Sequence, residues 1–418
     1  MLFFGYGIVS IIQVKYLSLE DLGLFTILIS INTWIFVISE SFALQNIIQF
    51  GVNKQRRKRV NTYSVIIHAV VAIGISTSIY LLSQQIGMIW KVAEREKVCT
   101  ILPILSLVMV PRTFCLKLLY REQRIHHVFL VNLVFFGALT LITFYYIFQY
   151  EALDYDRMVI LYLSGAAVSS AFSIWISRKE IEFGLVGNFN IRTLLDFSIP
   201  NMLTAALHAI PKLLDSVLLS IFFPISQIGI YSLAKTLFRI FDEAGNAAFG
   251  LVYPAAVRLI ENKNFSDLMT MITKVISFML VSFIFCAIIL ESGFSSYIIT
   301  TFLPKNYHFA IEQFNLLVIA SFGIPFVVMS LVITALGKPR LTFAFTLLGV
   351  IASIIVFLFV GYIQKPEFAP IGIIAYFFIT GGLNYLFLKK RFGYKLSMLG
   401  RALPDSYNYF RERFFVKG

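Results

Sequence analysis

LTFAFTLLGVIASIIVFLFVGYI, residues 341–363, runs its whole length without a charged side chain. A helix rises about 1.5 Å per residue, so a stretch of this length crosses ~30 Å of hydrocarbon. Lipid offers the backbone no hydrogen-bond partners, and a helix supplies its own. The stretch therefore reads as a transmembrane helix. Working outward, eleven more spans fall at 1–17, 22–51, 61–83, 97–119, 128–149, 158–177, 195–221, 228–258, 272–293, 312–336 and 370–388. Continuous apolar runs, with no two-residue alternation, exclude a barrel. The composition agrees: of 418 residues 58% are apolar and 14% charged, with a mean hydropathy of +0.82. A soluble domain carries about 25% charged residues. A cytosolic enzyme, a secreted disulfide scaffold and a disordered chain are all excluded. The three cysteines, Cys99, Cys115 and Cys286, fall inside spans and read as small apolar residues. The first stretch has neither a basic leader nor a small-residue cleavage site, so it reads as a span.

The loops set the direction. With the N-terminus inside, 24 of the 35 Lys and Arg residues lie on the cytoplasmic side and 7 on the other. That asymmetry is the positive-inside signal, and it accounts for the +13 net charge without nucleic acid. The run KQRRKR at 54–59 reads as a solvated loop that fixes this topology, and both termini are expected in the cytoplasm. Trp90 and Trp175 read as interfacial anchors.

Two segments repeat. YLSLEDLGLF at 16–25 aligns without gaps on FFPISQIGIY at 222–231, each closing on an apolar-Gly-apolar-aromatic run. The offset is 206 residues, or six spans, and six crossings restore the same direction. The expected fold is thus an all-α polytopic membrane protein. Twelve helices would form two six-helix lobes, 1–190 and 191–418, related by a pseudo-two-fold along the membrane normal. The second lobe ends in a basic cytoplasmic tail.

Eight charged residues fall deep inside spans, away from the ends: Glu40, Arg112, Lys212, Asp215, Lys235, Arg239, Asp242 and Glu243. Each costs about 2.5–3.5 kcal/mol at the bilayer centre even on permissive scales. Lys235 and Arg239 are four apart and share a helix face, continued by Asp242 and Glu243; Lys212 and Asp215 share another. Such faces point at protein or water. Either the eight neutralise one another as structural ion pairs, or they line an aqueous cavity where the cations meet an anionic substrate. Glu40 and Arg112 lie at comparable depth and suit a pair. Pro103, Pro111, Pro200, Pro211, Pro254 and Pro325 lie within spans and allow bends. The run SGAAVSSAFS at 164–173 reads as a packing face for a neighbouring helix. No phosphate-binding loop, zinc-protease motif or paired metal-ligand cysteines occur in the sequence, and no cofactor is expected.

Three stretches carry a family resemblance. YLSLEDLGLFTILISI at 16–31, FFPISQIGIYSLAKTLFRIFDEAGNAAFGLVYPAAVRL at 222–259 and LVITALGKPRLTF at 331–343 resemble segments of the Wzx-type oligosaccharide-lipid flippases. These form the polysaccharide transporter branch of the multidrug/oligosaccharidyl-lipid/polysaccharide exporter superfamily. The resemblance implies two bundles around a central cavity in a bacterial inner membrane. It implies transport of polyprenyl-diphosphate-linked oligosaccharide units for O-antigen or capsule assembly, with membrane lipid and other assembly proteins as partners. On that footing Arg112, Lys212, Lys235 and Arg239 would attract the diphosphate, while Glu40, Asp215, Asp242 and Glu243 would hold those cations or bind hydroxyls and coupling protons. An ion-coupled drug or metabolite exporter of the same superfamily is the alternative. A membrane-embedded glycan polymerase or ligase would need a large outer loop, and the sequence has none.

Overall fold

The computed structural model describes residues 12–51, 53–85, 95–185 and 190–400. The described chain is helical and contains no strand. Its long helices are α1 Leu19–Phe50, α2 Lys54–Leu81, α3 Arg95–Arg121, α4 Ile125–Tyr150 and α5 Tyr155–Ser177. They continue with α6 Ile191–Leu219, α7 Ile225–Glu261 and α8 Phe265–Phe302. After these come the broken helical stretch α9 Lys305–Ala335, then α10 Pro339–Ile363 and α11 Pro370–Phe392. Each matches one of the spans read from the sequence. The first span, the 401–418 tail and Trp90 lie outside the described residues, apart from a helical stub at 12–16.

Ten of these eleven helices are long and apolar enough to cross a membrane. The exception is α7, at 37 residues among the longest, which carries four charged residues between 235 and 243. Large apolar side chains face outward over the helices, among them Phe148 at 91% exposure and Tyr362 at 83%. Water penalises such a surface and lipid does not. This is an all-α polytopic membrane protein.

Local chemistry sets the helix starts. Side chains of Ser18, Asn53, Asp154, Asn190 and Asn264 each accept a backbone N–H from the first turn of the helix they precede. Asn53 corrects the reading of 54–59 as a loop, because KQRRKR forms the opening turns of α2. Cations at a helix N-terminus oppose the helix dipole. Acidic partners offset this, with Arg57 reaching Glu122 at 3.1 Å and Glu182 at 3.8 Å.

Three π-helical segments interrupt the long helices: Glu40–Leu44 in α1, Ile210–Leu214 in α6 and Leu290–Phe294 in α8. Two have visible causes. Pro211 lacks the N–H that a regular turn needs, and Gly293 takes φ 101°. Pro325 begins a new helical piece inside α9, whereas Pro103, Pro111 and Pro200 are carried within continuous helices. The side chain of Pro254 lies outside the described set.

By packing, the chain divides into two units, Met1–Leu233 and Ala234–Gly418. The repeat boundary at 190 concerns sequence order; contacts divide further on, inside α7. In the first unit α5 packs on both α3 and α4. The small-residue run makes this possible. Ser170 Oγ donates to the Val108 carbonyl of α3 at 2.6 Å, and Ser169 Oγ to the Val131 carbonyl of α4 at 3.0 Å. In the second unit α10 lies along α11, and pieces of α9 pack on α11 as well.

The first unit also contains the contact between the two repeated segments. A Cβ on Gly23 would strike the Ile225 carbonyl oxygen, and one on Gly229 would strike the Leu19 carbonyl oxygen. Thr26 and Ser232 hydroxyls meet at 2.5 Å. Leu19 and Ile225, Gly23 and Gly229, and Thr26 and Ser232 are each 206 apart. The contact is therefore reciprocal, as a local two-fold requires. Only glycine lets two backbones approach this closely.

Candidate functional site

The eight intramembrane charges divide equally between the units. Glu40, Arg112, Lys212 and Asp215 belong to the first; Lys235, Arg239, Asp242 and Glu243 belong to the second.

Arg112, midway along the second half of α3, is half-buried between α4 and α5. Its Nε donates to Ser169 Oγ at 3.0 Å and its terminal nitrogen to Asn132 Oδ1 at 2.6 Å. The guanidinium lies 4.7 Å from the Phe135 ring centroid, a cation–π arrangement. Planar geometry lets one side chain satisfy all three contacts at once.

Glu40 opens the π segment of α1, and its ion partner is Lys117, at 3.0 Å. The depth argument brought Glu40 and Arg112 together; Lys117, five residues along α3, takes the place. Lys117 lies two residues from the end of the span read as 97–119, where it counts with the cytoplasmic cations; the helix continues to Arg121 and places Lys117 inside. Nearby polar groups extend this region: His68 Nε2 and Thr113 Oγ1 lie 2.8 Å apart, and Asn46 Nδ2 donates to Ser198 Oγ at 2.7 Å.

Asp215 follows directly on the Ile210–Leu214 π segment that carries Lys212. Its carboxylate is fully buried. One oxygen accepts the Ser216 backbone N–H at 2.8 Å, and the other accepts the Tyr231 hydroxyl at 2.7 Å. A buried carboxylate needs such donors, because an unpaired one would be neutralised instead. Tyr231 closes the repeated segment IGIY; its counterpart in the first half is Phe25, which has no hydroxyl. That single difference was the signal for the Asp215 partner, and depth alone could not find it.

In the second unit Lys235 and Asp242 are half-buried, while Arg239 and Glu243 are exposed at 46% and 45%. Arg239 Nε and Glu243 Oε1 stand 3.4 Å apart, one helical turn along α7. Lys235 is ten residues beyond the start of α7, a rise of about 15 Å, half the hydrocarbon thickness. Arg239 and Glu243 follow at rises of about 21 and 27 Å, and charges held within the hydrocarbon face protein or water. Chemically the arrangement offers charge-assisted hydrogen bonds to an anion and carboxylates for hydroxyls or protons. Among the described residues no cluster of His, Cys, Asp or Glu suits a metal ion.

Solved structures of membrane transporters share this arrangement of helices. A multidrug resistance MATE family transporter of the MOP superfamily, inward-facing, has TM-score 0.77 at 14% identity, covering 96% of each chain. The lipid II flippase MurJ, inward closed, has TM-score 0.73 at 13% identity, covering 97% of this chain and 89% of its own. A MOP superfamily transporter from Pyrococcus furiosus, described as having a binding pocket of reversed polarity, has TM-score 0.63 at 15% identity over 93% and 90%. These likenesses establish the fold. A comparison with curated proteins gives no match. Residues 6–260 match the family described as Polysaccharide biosynthesis protein, and the chain belongs to that family.

Proposed function

We propose that this protein is a flippase for polyprenyl-diphosphate-linked oligosaccharide units, serving surface polysaccharide assembly in a bacterial inner membrane. The polyprenyl tail is soluble in lipid and needs no carrier. The head group cannot cross unaided, because each unpaired hydroxyl costs several kcal/mol in hydrocarbon and a diphosphate far more. A wet, partly cationic surface at membrane depth lowers that barrier without breaking a bond. One observation carries the reading: the 37-residue α7 gathers Lys235, Arg239, Asp242 and Glu243 within nine residues, and the Arg239–Glu243 pair is exposed on its surface. The family match supports a role in polysaccharide export, and the MurJ-like fold supports a lipid-linked cargo.

In this reading Lys235 and Arg239 bind the diphosphate, and Asp242 and Glu243 keep them extended. Arg112, already engaged by Ser169, Asn132 and Phe135, keeps α3 in register with α4 and α5 more than it meets cargo. Both termini lie in the cytoplasm. The test is to replace Lys235 and Arg239 separately with Ala and measure surface polysaccharide at equal protein level. Loss in either supports the role; undiminished polysaccharide in both assigns the pair to structure alone.

A further inference from the structure

Between the start of α4 and the end of α5 the first unit has a recess of about 200 Å³, lined by Arg124, His127, Trp175, Ile176, Arg178 and Lys179. At ~30 Å³ per water it holds roughly six waters, room for a phosphodiester and its glycerol but not for a sugar chain. Three permanent cations line it. The carboxylate that answers them is the buried Glu180, 2.6 Å from Arg124. The recess thus keeps an excess of positive charge. His127 brings a further polar atom, a buried Nδ1 without a hydrogen-bond partner.

What surrounds the recess decides the ligand. Trp175 is 59% exposed, and the Arg178 guanidinium lies 5.9 Å from its ring centroid. Below it, the exposed Phe129 and Ile174 belong to the apolar outer surface. Cations above, an indole at the boundary and apolar surface beneath match the layers of a bilayer leaflet. By the distribution of Lys and Arg this end is cytoplasmic, the leaflet side whose anionic lipids attract such clusters. A free phosphate would use the cations and leave the apolar layer idle.

We infer that this recess is a binding site for the headgroup of an anionic phospholipid of the inner leaflet, with the phosphate on Arg124, Arg178 and Lys179 and an acyl chain along Trp175 and Ile176. The site lies apart from the charged face of α7 and does not depend on what the protein carries. The bound lipid seals the junction of α4 and α5 at the membrane surface.

Trp175 provides the readout. The protein is reconstituted in vesicles of phosphatidylcholine containing increasing brominated phosphatidylglycerol or, separately, brominated phosphatidylcholine. Quenching of Trp175 is obtained as the difference between the protein and its Trp175→Phe variant. Half-quenching is expected at a several-fold lower fraction of the brominated anionic lipid. Arg178→Gln and Lys179→Gln, both exposed positions, should each weaken that preference by about fivefold. Arg56→Gln with Lys58→Gln, at another point of the same membrane face, should leave it unchanged. Equal quenching by both lipids overturns the site. So does an equal loss in the Arg56/Lys58 variant, which would mean surface charge only. Displacement of the lipid by millimolar inorganic phosphate would make it a free-anion site and overturn the lipid assignment.

Discussion

Helices α1 and α7 begin as copies and end as opposites. Over Leu19–Thr26 and Ile225–Ser232 they share a glycine crossing that each half presents to the other. One turn later they part. Where α7 carries Lys235, Arg239, Asp242 and Glu243, the positions 206 earlier in α1 hold Ile29, Thr33, Phe36 and Val37. Where α1 widens into a π segment at Glu40–Leu44, the counterpart in α7 stays α-helical. The apolar window of α1 is 61% buried, while α7 is too charged to count among the membrane-length apolar helices. The shared half is a structural joint, held by close backbone contact. In the divergent half one copy is apolar and the other carries four charges. Under the proposed function, duplication preserves the joint and the charged copy meets the cargo.

The comparison can be broken first at the joint. Gly23→Ala or Gly229→Ala drives a Cβ into a main-chain carbonyl that cannot turn aside, and each should destabilise by about 3 kcal/mol, the upper end for overpacking. Thermal unfolding in detergent reads this; Gly74→Ala, with open space around it, serves as the control that does not lose stability. Next comes the divergent half. Giving α7 the residues of α1, Lys235→Ile with Arg239→Thr, should leave unfolding nearly unchanged and slow transport about a hundredfold, roughly tenfold for each lost charged contact. The flipping rate of a labelled polyprenyl-diphosphate oligosaccharide in proteoliposomes measures it, and an unchanged rate would return α7 to a packing role. Third, Lys117→Met strands Glu40. Both side chains are partly exposed, so the loss should be about 1–2 kcal/mol, below the range for fully buried pairs, and Glu40→Gln added on top should recover most of it. Smallest of all, Glu243→Gln removes an exposed i,i+4 pair and should shift stability by less than about 0.5 kcal/mol.

Spans, their order and the repeat are legible in the sequence because hydrocarbon thickness and backbone satisfaction act on every residue alike. Helix ends are less so. α2 begins at Lys54 and α8 runs from Phe265 to Phe302, well past the apolar limits, because caps and ion pairs carry helices beyond the membrane. Rotation about a helix axis is hardest to read. Depth places Glu40 level with Arg112, but Lys117, five residues further along α3, is the cation that meets it. Five residues turn a helix by about 500°, so Lys117 points roughly 140° away from Arg112 around the same axis. The tyrosine that holds Asp215 was in plain view as the aromatic end of a repeat, yet only its hydroxyl, absent from Phe25, separates a packing ring from a hydrogen-bond donor.

The Gly23–Gly229 crossing has a mechanical corollary. Backbone there rests on backbone, with the Ile225 side chain and the Thr26–Ser232 hydroxyl contact beside it. So close a seat has no slack, and any side chain larger than hydrogen at either glycine would pry the two helix starts apart.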